Sequence, residues 1–200
     1  MTYAIAKAGL DVLLAALALV VLAPLLAIIA LAIWADDPGA PVLFRQRRCG
    51  RGARPFELLK FRTMVRDAEA LKEALRGRSV VAWPDFRLPN DPRVTRLGRF
   101  LRRSSLDELP QLINVLRGDM SLVGPRPTSF DASTYQLWQT GRLDFRPGIT
   151  GPWQVLGRNR MDFTERCRLE ISFFRRRSLV RELWLLLRTI PCVLKRTGVA

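Results

Sequence analysis

The sequence contains no histidine and little lysine or cysteine, and these deficits restrict its chemistry. Of its 200 residues 33 are basic, and only four of these are lysine. The lack of histidine excludes a Ser-His-Asp triad, a Cys-His nucleophile, a histidine general base and any histidine-ligated metal site. Chemistry in this chain must therefore depend on carboxylates, arginines, hydroxyls or thiols.

Cysteine is also scarce. Cys49, Cys167 and Cys192 are odd in number and widely spaced. This spacing indicates neither a zinc knuckle nor a full disulfide framework. A reduced, cytosol-facing setting is the simpler interpretation, with each cysteine a small apolar residue of the core.

An apolar head precedes a strongly basic body. The net charge of the chain is +15, and the first 40 residues contribute only Lys7 against three aspartates. Residues 12–35 form an apolar run interrupted only by Pro24. A helix of that length reaches about 36 Å, enough to span a bilayer core of about 30 Å.

Pro24 leaves two arrangements of this run open. Proline cannot donate to the carbonyl four residues back and its ring clashes there, so a kink is expected. The helix either spans the membrane or turns and leaves by the face that it entered. Basic residues, which favour the cytoplasmic side, flank the run at both ends, with many more after it than before.

The body reads as short extended pieces and helices. Extended segments are predicted at 41–44 and 56–64, with a basic turn over 45–52 between them. Helices are predicted at 65–75, 93–103 and 109–116, and two more over 163–196. The last helix has one apolar face and a tryptophan, which suits a helix lying in the lipid headgroup plane or one packed on the core.

The adjacent carboxylates Asp107 and Glu108 are the candidates for chemistry. Ser105 and Glu108 match a capping box that would place both acids in a first helical turn, while Pro110 allows the helix to begin a few residues later. In both cases the pair lies near the positive end of a helix dipole, which attracts phosphate. An ionised aspartate with Mg²⁺ nearby could attack phosphorus, and a structural cap is the alternative.

Three rigid loops, rich in glycine or proline, each present an arginine. Arg126 lies between two prolines, Arg146 precedes Pro-Gly, and Arg158 follows Gly157. Arginine binds phosphate oxygens in a bidentate manner. Together with the carboxylate pair, these loops indicate anionic phosphate ligands, although each alone would be a plain turn.

At these residues the sequence resembles the bacterial sugar transferases, which are small monotopic phosphoglycosyl transferases. The matching blocks occur in family order and cover most of the chain: 44–50, 60–64, 91–102, 105–116, 118–127 and 146–159. The resemblance implies transfer of a sugar-1-phosphate from a UDP-sugar to polyprenol (undecaprenyl) phosphate, with release of UMP and a phospho-aspartyl intermediate.

The resemblance also assigns residues. It implies that Asp107 is the nucleophile and binds Mg²⁺, and that Glu108 acts as a base or positions the metal. The predicted substrate- and phosphate-binding residues are Lys60, Arg62, Arg102, Arg126, Arg146 and Arg158.

The expected architecture is a membrane-associated α/β protein, mostly helical with short strands. Residues 1–36 are expected to form a re-entrant hairpin that breaks at Ala23 and Pro24, and residues 37–200 a compact cytosolic catalytic domain with interfacial C-terminal helices. The family often has Ser-Pro at the break, where this chain has Ala-Pro. It also has aspartate where this chain has Glu170 and Glu182.

The resemblance further implies a location on the cytoplasmic face of a bacterial inner membrane. The expected partners are the UDP-sugar, the polyprenol phosphate and membrane lipids, without nucleic acid, and the oligomeric state is open, with a homodimer among the alternatives. Two other functions remain open: a basic membrane-anchored binding protein without catalysis, and a glycosyltransferase that releases UDP. The sugar, the prenol length and the pathway (exopolysaccharide, O-antigen or glycoprotein) are not determined.

Overall fold

The computed structural model describes residues 2–79, 88–129, 131–157 and 161–194. Its helices are α1 (Thr2–Asp36), α2 (Ala68–Ala74), α3 (Arg96–Arg103), α4 (Gln111–Leu116), α5 (Phe163–Arg175) and α6 (Leu179–Leu194). Its strands are β1 (Leu43–Cys49), β2 (Pro55–Phe61), β3 (Ser121–Val123) and β4 (Gly148–Thr150). The predicted class, mostly helical with short strands and a long apolar N-terminal helix, is confirmed.

Strands β1 and β2 form an antiparallel hairpin. Their register pairs Leu43 with Phe61 and Cys49 with Pro55. The predicted basic turn over 45–52 is wrong in its first half, because β1 continues through these arginines and the chain reverses over residues 50–54. Positive φ angles of 63° at both Gly52 and Ala53 make that reversal, and the partner strand supplies the hydrogen bonds that stabilise a polar strand.

Strands β3 and β4 are parallel and lie unusually close at their ends. A Cβ atom built on Gly124 would be 2.2 Å from the Arg146 carbonyl oxygen, and one on Gly148 would be 2.0 Å from the Gly124 nitrogen. Gly124 donates to the Thr150 carbonyl and Gly148 to the Pro125 carbonyl, each at 2.9 Å. Only glycine permits this approach, which fixes the start of the loop that carries Arg126.

Helix α1 packs along the folded body on both sides of Pro24. Before the proline, Ala15 is buried against a cluster that includes Leu58 and Val115. After it, Ile29 and Ile33 are buried against Phe61 and Leu101. The structure has a single helix here, and it does not show the predicted hairpin with a break at Ala23 and Pro24. Contacts with the body on both sides of the proline stabilise the continuous helix.

Polar contacts attach both ends of α1 to the same body. Near its start, the Lys7 ammonium contacts Asp11 and lies 3.1 Å from a Glu182 carboxylate oxygen of α6. At its end, the Arg62 guanidinium donates to the carbonyls of Ile33 and Asp37 at 3.2 and 3.3 Å. These carbonyls also accept from the backbone amides of Asp37 and Ala40 at 3.4 and 3.3 Å, so Arg62 adds a second donor to each at the end of the helix.

The outward faces of α1 and α6 are apolar. In α1 the large side chains that are 45–73% exposed are Ile5, Val12, Leu13, Leu17, Val20, Val21, Ile28, Leu31 and Trp34. In α6 the exposed ones are Val180, Leu183, Trp184, Leu187 and Ile190, while Leu185 is fully buried. Among the described residues, α1 is the one helix long and apolar enough to cross a membrane. Contiguous apolar surface of this extent is typical of a membrane or protein contact.

Candidate active site

Asp107 and Glu108 lie in a 3₁₀ turn, Leu106–Glu108, that precedes α4. Ser105 has a left-handed backbone (φ 56°, ψ 15°) and its side chain makes no capping hydrogen bond. The predicted capping box is therefore wrong, because the Glu108 side chain is bound elsewhere. The other alternative is confirmed: α4 begins after the acids, with Pro110 at its N-cap.

Glu108 is held by two cations. One of its carboxylate oxygens accepts a hydrogen bond from the Lys60 ammonium at 2.7 Å and another from the Arg126 guanidinium at 2.8 Å. Burial alone would raise the pKa of Glu108, but Arg126 and Lys60 outweigh it and lower this pKa well below the usual range. Glu108 therefore stays ionised and fixed in position.

The carboxylate of Asp107, unlike that of Glu108, is not bound by the neighbouring cations. Its residue is only 7% exposed, and within the described part of the chain no group donates a hydrogen bond to its carboxylate. Burial raises the pKa of Asp107 above the usual carboxyl value, although the nearby charge of Lys60 opposes this effect. The environments of two adjacent acids thus move their pKa values in opposite directions, which distinguishes their chemical roles.

A large cavity connects Asp107 to several of the predicted arginines. Its volume is 2220 Å³. The predicted site residues that line it are Lys60, Arg62, Arg102, Asp107, Glu108 and Arg126. Such a volume accommodates a ligand larger than an ordinary drug-sized molecule.

Arg102 reaches this cavity from α3. Gly98 packs against the Thr63 backbone so closely that its Cβ would be 2.0 Å from the Thr63 carbonyl oxygen. The Arg102 Nε atom donates to the Thr63 hydroxyl at 2.9 Å. This leaves the outer guanidinium nitrogens of Arg102 available to a ligand, and burial lowers the pKa of this arginine, with Asp107 opposing the effect.

The other predicted arginines differ in placement. Arg62 lines the cavity, but its side chain is committed to the end of α1 and pairs with Asp37 at 3.4 Å. Arg146 is exposed and does not line the cavity, because the Pro147-Gly148 backbone that follows it packs against Gly124. Arg158 lies outside the described residues.

Sequence reasoning missed part of what surrounds Arg126. Its guanidinium lies 5.9 Å from the centre of the Trp153 ring, and its backbone is bound by Arg142 and Glu170. Glu170 drew notice only as a departure from the family pattern. No local motif marks Arg142, which lies on a separate 3₁₀ segment, Leu137–Asp144.

The donor set fits a divalent cation only in part. In the described part of the chain, no three histidine, cysteine, aspartate or glutamate side chains come together. Mg²⁺ often binds one or two carboxylates and completes its shell with substrate phosphates and water. Asp107, an acceptor without a protein donor, is suited to contribute one such oxygen.

Comparison with known proteins identifies the family of this chain. The sequence pattern of the family described as bacterial sugar transferase matches residues 2–196. The chain belongs to the bacterial sugar transferase family.

Three relatives illustrate the similarity within this family. The galactosyl transferase CpsE of Streptococcus agalactiae is 44% identical over 162 residues, which cover 80% of this chain and 36% of that protein. The UDP-glucose:undecaprenyl-phosphate glucose-1-phosphate transferase of Caulobacter vibrioides is 45% identical over 199 residues, which cover 94% of this chain and 69% of that protein. The exopolysaccharide production protein ExoY of Sinorhizobium fredii is 38% identical over 199 residues, covering 97% and 88%.

Coverage differs among the sugar transferase relatives. The chain spans 36% of the streptococcal protein, 42% of a sugar transferase from Haemophilus influenzae and 35% of a UDP-galactose-lipid carrier transferase from Erwinia amylovora. The ExoY protein is nearly the length of this chain.

Proposed function

We propose that this chain transfers a sugar-1-phosphate from a UDP-sugar to a polyprenol phosphate. The observation that carries the proposal is the pair of adjacent acids, of which Glu108 is held by two cations while the buried Asp107 receives no hydrogen bond from the described residues. The family relationship supports the same reaction class, since relatives are named for sugar-1-phosphate transfer to undecaprenyl phosphate.

Asp107 is the nucleophile of the first step. A carboxylate oxygen attacks the phosphorus attached to the sugar, a bond forms between aspartate and phosphorus, and the bond to UMP breaks with its electron pair leaving on UMP. The absence of a protein donor keeps the Asp107 oxygens accessible, and its raised pKa favours nucleophilicity in the ionised form. Glu108 holds Lys60 and Arg126 beside the reacting phosphate.

The second step reverses the first with another partner. A phosphate oxygen of the polyprenol phosphate attacks the same phosphorus, and Asp107 leaves as a carboxylate. The product is a polyprenyl-diphosphate-sugar. Arg126 and Arg102 are placed to bind the phosphate oxygens of either substrate, because both line the cavity that contains Asp107.

We further propose that Mg²⁺ binds Asp107 together with substrate phosphate. When bound, the cation supplies neutralisation of phosphate charge and orientation of the reacting groups. The chain's own contribution is the unpaired carboxylate, which can serve as a ligand without first breaking a hydrogen bond.

The lipid acceptor is proposed to enter from the side of α6. Residues near the end of this helix, Thr189, Cys192 and Val193, line the same cavity as Asp107. The outward face of α6 carries exposed leucines and Trp184, and this composition suits the headgroup plane of a membrane. A lipid phosphate at the bilayer surface could therefore reach the site without leaving the membrane.

The membrane arrangement of α1 is part of the proposal. Both of its ends contact one folded body, so we propose that both ends lie on the cytoplasmic face of the inner membrane and that the outward apolar face of the helix enters the lipid. A straight span with the body on one side would separate Lys7 from Glu182 or Arg62 from Ile33.

Mass spectrometry of the quenched enzyme tests this function. The chain, purified in lipid nanodiscs, is mixed with a panel of UDP-sugars and Mg²⁺, and released nucleotides are separated. We expect UMP, and a peptide containing Asp107 that is heavier by one sugar phosphate. Release of UDP instead would favour a glycosyltransferase, and turnover without any adduct on the Asp107 peptide would contradict the covalent route.

A further inference from the structure

We propose that the buried ion pair between Arg142 and Glu170 positions Arg126, and that it affects turnover through Arg126. The proposal rests on the proposed function, since it takes Arg126 to bind substrate phosphate. It concerns two residues to which the proposed reaction gives no part; the sequence analysis noted Glu170 only as a departure from the family pattern and did not mark Arg142.

The pair binds both polar groups of the Arg126 backbone. One carboxylate oxygen of Glu170 accepts a hydrogen bond from the Arg126 amide at 2.9 Å, and the other accepts from the Arg142 guanidinium at 2.6 Å. The same guanidinium nitrogen donates to the Arg126 carbonyl at 2.8 Å. Three charge-assisted hydrogen bonds therefore close a ring around one residue.

Burial makes this ring rigid. The side chains of Arg142 and Glu170 are 5% and 1% exposed, so water does not compete for their hydrogen bonds. The Arg142 guanidinium also lies 5.5 Å from the centre of the Phe163 ring at the start of α5. The pair thereby joins the loop of Arg126 to α5, a helix of 13 residues.

The loop needs such a support because its own sequence supplies little. In the Pro-Arg-Pro segment, the prolines fix their own φ angles and donate no hydrogen bond, so Arg126 has the only backbone N–H of the three residues. That single donor is bound by Glu170. Pro127 limits the backbone of Arg126 to extended conformations, and the contact with Glu170 fixes it within that range.

The consequence appears at the far end of the Arg126 side chain. With its backbone fixed, the guanidinium lies 2.8 Å from Glu108 and beside the Trp153 ring. A displacement of about 1 Å at a reacting centre costs about 100-fold in rate. Arg142 and Glu170 do not line the large cavity that contains Asp107 but a smaller one of 180 Å³ behind it, so they are positioning residues.

A double-mutant cycle tests the proposal. The apolar replacement Arg142→Met with Glu170→Leu is made in the wild-type chain and in Arg126→Ala, because well-packed apolar residues commonly replace a buried ion pair without loss of stability. We expect a folded protein whose UMP release is about 10- to 100-fold slower than wild type. In the Arg126→Ala background, the same replacement should slow UMP release by less than about 2-fold, since effects that act through one residue are not additive.

A conservative single variant tests the proposal if the double replacement does not fold. Arg142→Lys keeps the charge, but one ammonium on a shorter reach cannot reproduce the planar fork that bridges Glu170 and the Arg126 carbonyl. We expect it to keep its melting temperature within a few degrees while raising the Kd for UDP several-fold. Unchanged affinity in this variant would overturn the proposal.

Glu182→Gln is the matched control. Glu182 is also a buried glutamate of the tail helices, 4% exposed, but it pairs with Lys7 and not with the Arg126 loop. We expect its effects to add to those of Arg126→Ala. An additive loss for Arg142 and Glu170 as well would show that the pair only stabilises the fold. Failure of the wild-type chain to release UMP or bind UDP would instead refute the proposed function itself.

Discussion

Two clusters of largely buried polar side chains differ in how their carboxylates are paired. In the anchor cluster, made by Lys7, Asp11, Ser121 and Glu182, every carboxylate has a partner: Asp11 accepts from the Ser121 hydroxyl at 2.7 Å and contacts Lys7, which also pairs with Glu182. In the site cluster, made by Lys60, Asp107, Glu108 and Arg126, both cations bind Glu108.

The difference separates a structural role from a chemical one. A buried carboxylate without a hydrogen-bond donor costs free energy, and folding alone gives no reason to keep it. The anchor cluster avoids that cost by pairing its acids. In the site cluster, Asp107 receives no hydrogen bond from the described residues, and the neighbouring Glu108 accepts from both cations through one oxygen. Burial is similar in both places, so pairing, and not burial, distinguishes Asp107, the acid that we propose as the nucleophile.

The largest effect is expected from Asp107→Asn. The amide cannot form the phospho-aspartyl bond, so UMP release should fall by at least about 1000-fold, as for other removed nucleophiles. Because none of the described residues donates a hydrogen bond to Asp107, the melting temperature should equal or exceed that of wild type. Nucleotide chromatography and thermal unfolding measure the two quantities, and UMP release at the wild-type rate would remove Asp107 from the reaction.

Lys7→Met should show the reverse pattern. It leaves Asp11 and Glu182 buried without their cation, which is expected to cost about 3–5 kcal/mol of unfolding free energy. The rate per folded molecule should stay near wild type. Denaturant unfolding measures this loss of stability. The control is Lys72→Met: its partner Glu69 is 77% exposed, so removing this ion pair should cost less than about 1 kcal/mol of unfolding free energy.

Lys60→Met should slow UMP release by about 10- to 100-fold and shift its pH dependence. Lys60 lowers the pKa of Asp107, so its removal raises that pKa further. Since the nucleophile must be ionised, activity rises as pH rises through this pKa, and the acid limb should move to higher pH. A pH–rate profile measures this shift. As the control, Lys60→Arg should largely restore the position of the acid limb. If the acid limb of Lys60→Met does not move, Asp107 is not the group that titrates there.

The smallest effect is expected from Val193→Trp. A larger side chain near the end of α6 narrows the cavity on the side proposed for the lipid, so the step with polyprenol phosphate should slow several-fold while the first burst of UMP persists. Rapid-quench measurements separate the two steps. Ile190→Trp is the control, since Ile190 is 57% exposed on the same helix and does not line the cavity. Equal effects of the two variants on the second step would contradict the proposed route of the lipid.

The sequence predicted several elements because their signals are local. The apolar run over 12–35, the helices near 65–75 and 109–116, and the two tail helices follow from periodicity and composition alone. The strand through the arginines of β1 did not, because its stability comes from pairing with β2. The capping box at Ser105 was also a local prediction, and it failed because Lys60 and Arg126, distant in sequence, bind the Glu108 side chain.

The candidate site was predicted in part for the same reason. Local motifs predicted Asp107, Glu108 and Arg126, and the family resemblance added Lys60 and Arg102. All five line one cavity in the structure. Arg146 was predicted by the same loop pattern and is directed elsewhere, because the close approach of Gly124 and Gly148 determines where that loop lies. Arg142 carries no motif and Glu170 was noted only as a departure from the family pattern, since their relation to Arg126 exists only after α5 packs against the loop.

By itself, the sequence determined the chemistry that is accessible: a chain without histidine, with an acid pair among arginines and an apolar head that favours a membrane. The tertiary structure decided which acid is paired and which is not, and that both ends of α1 contact one body. These outcomes depend on contacts between residues distant in the sequence, such as Lys60 with Glu108 and Lys7 with Glu182, whose geometry no local pattern encodes.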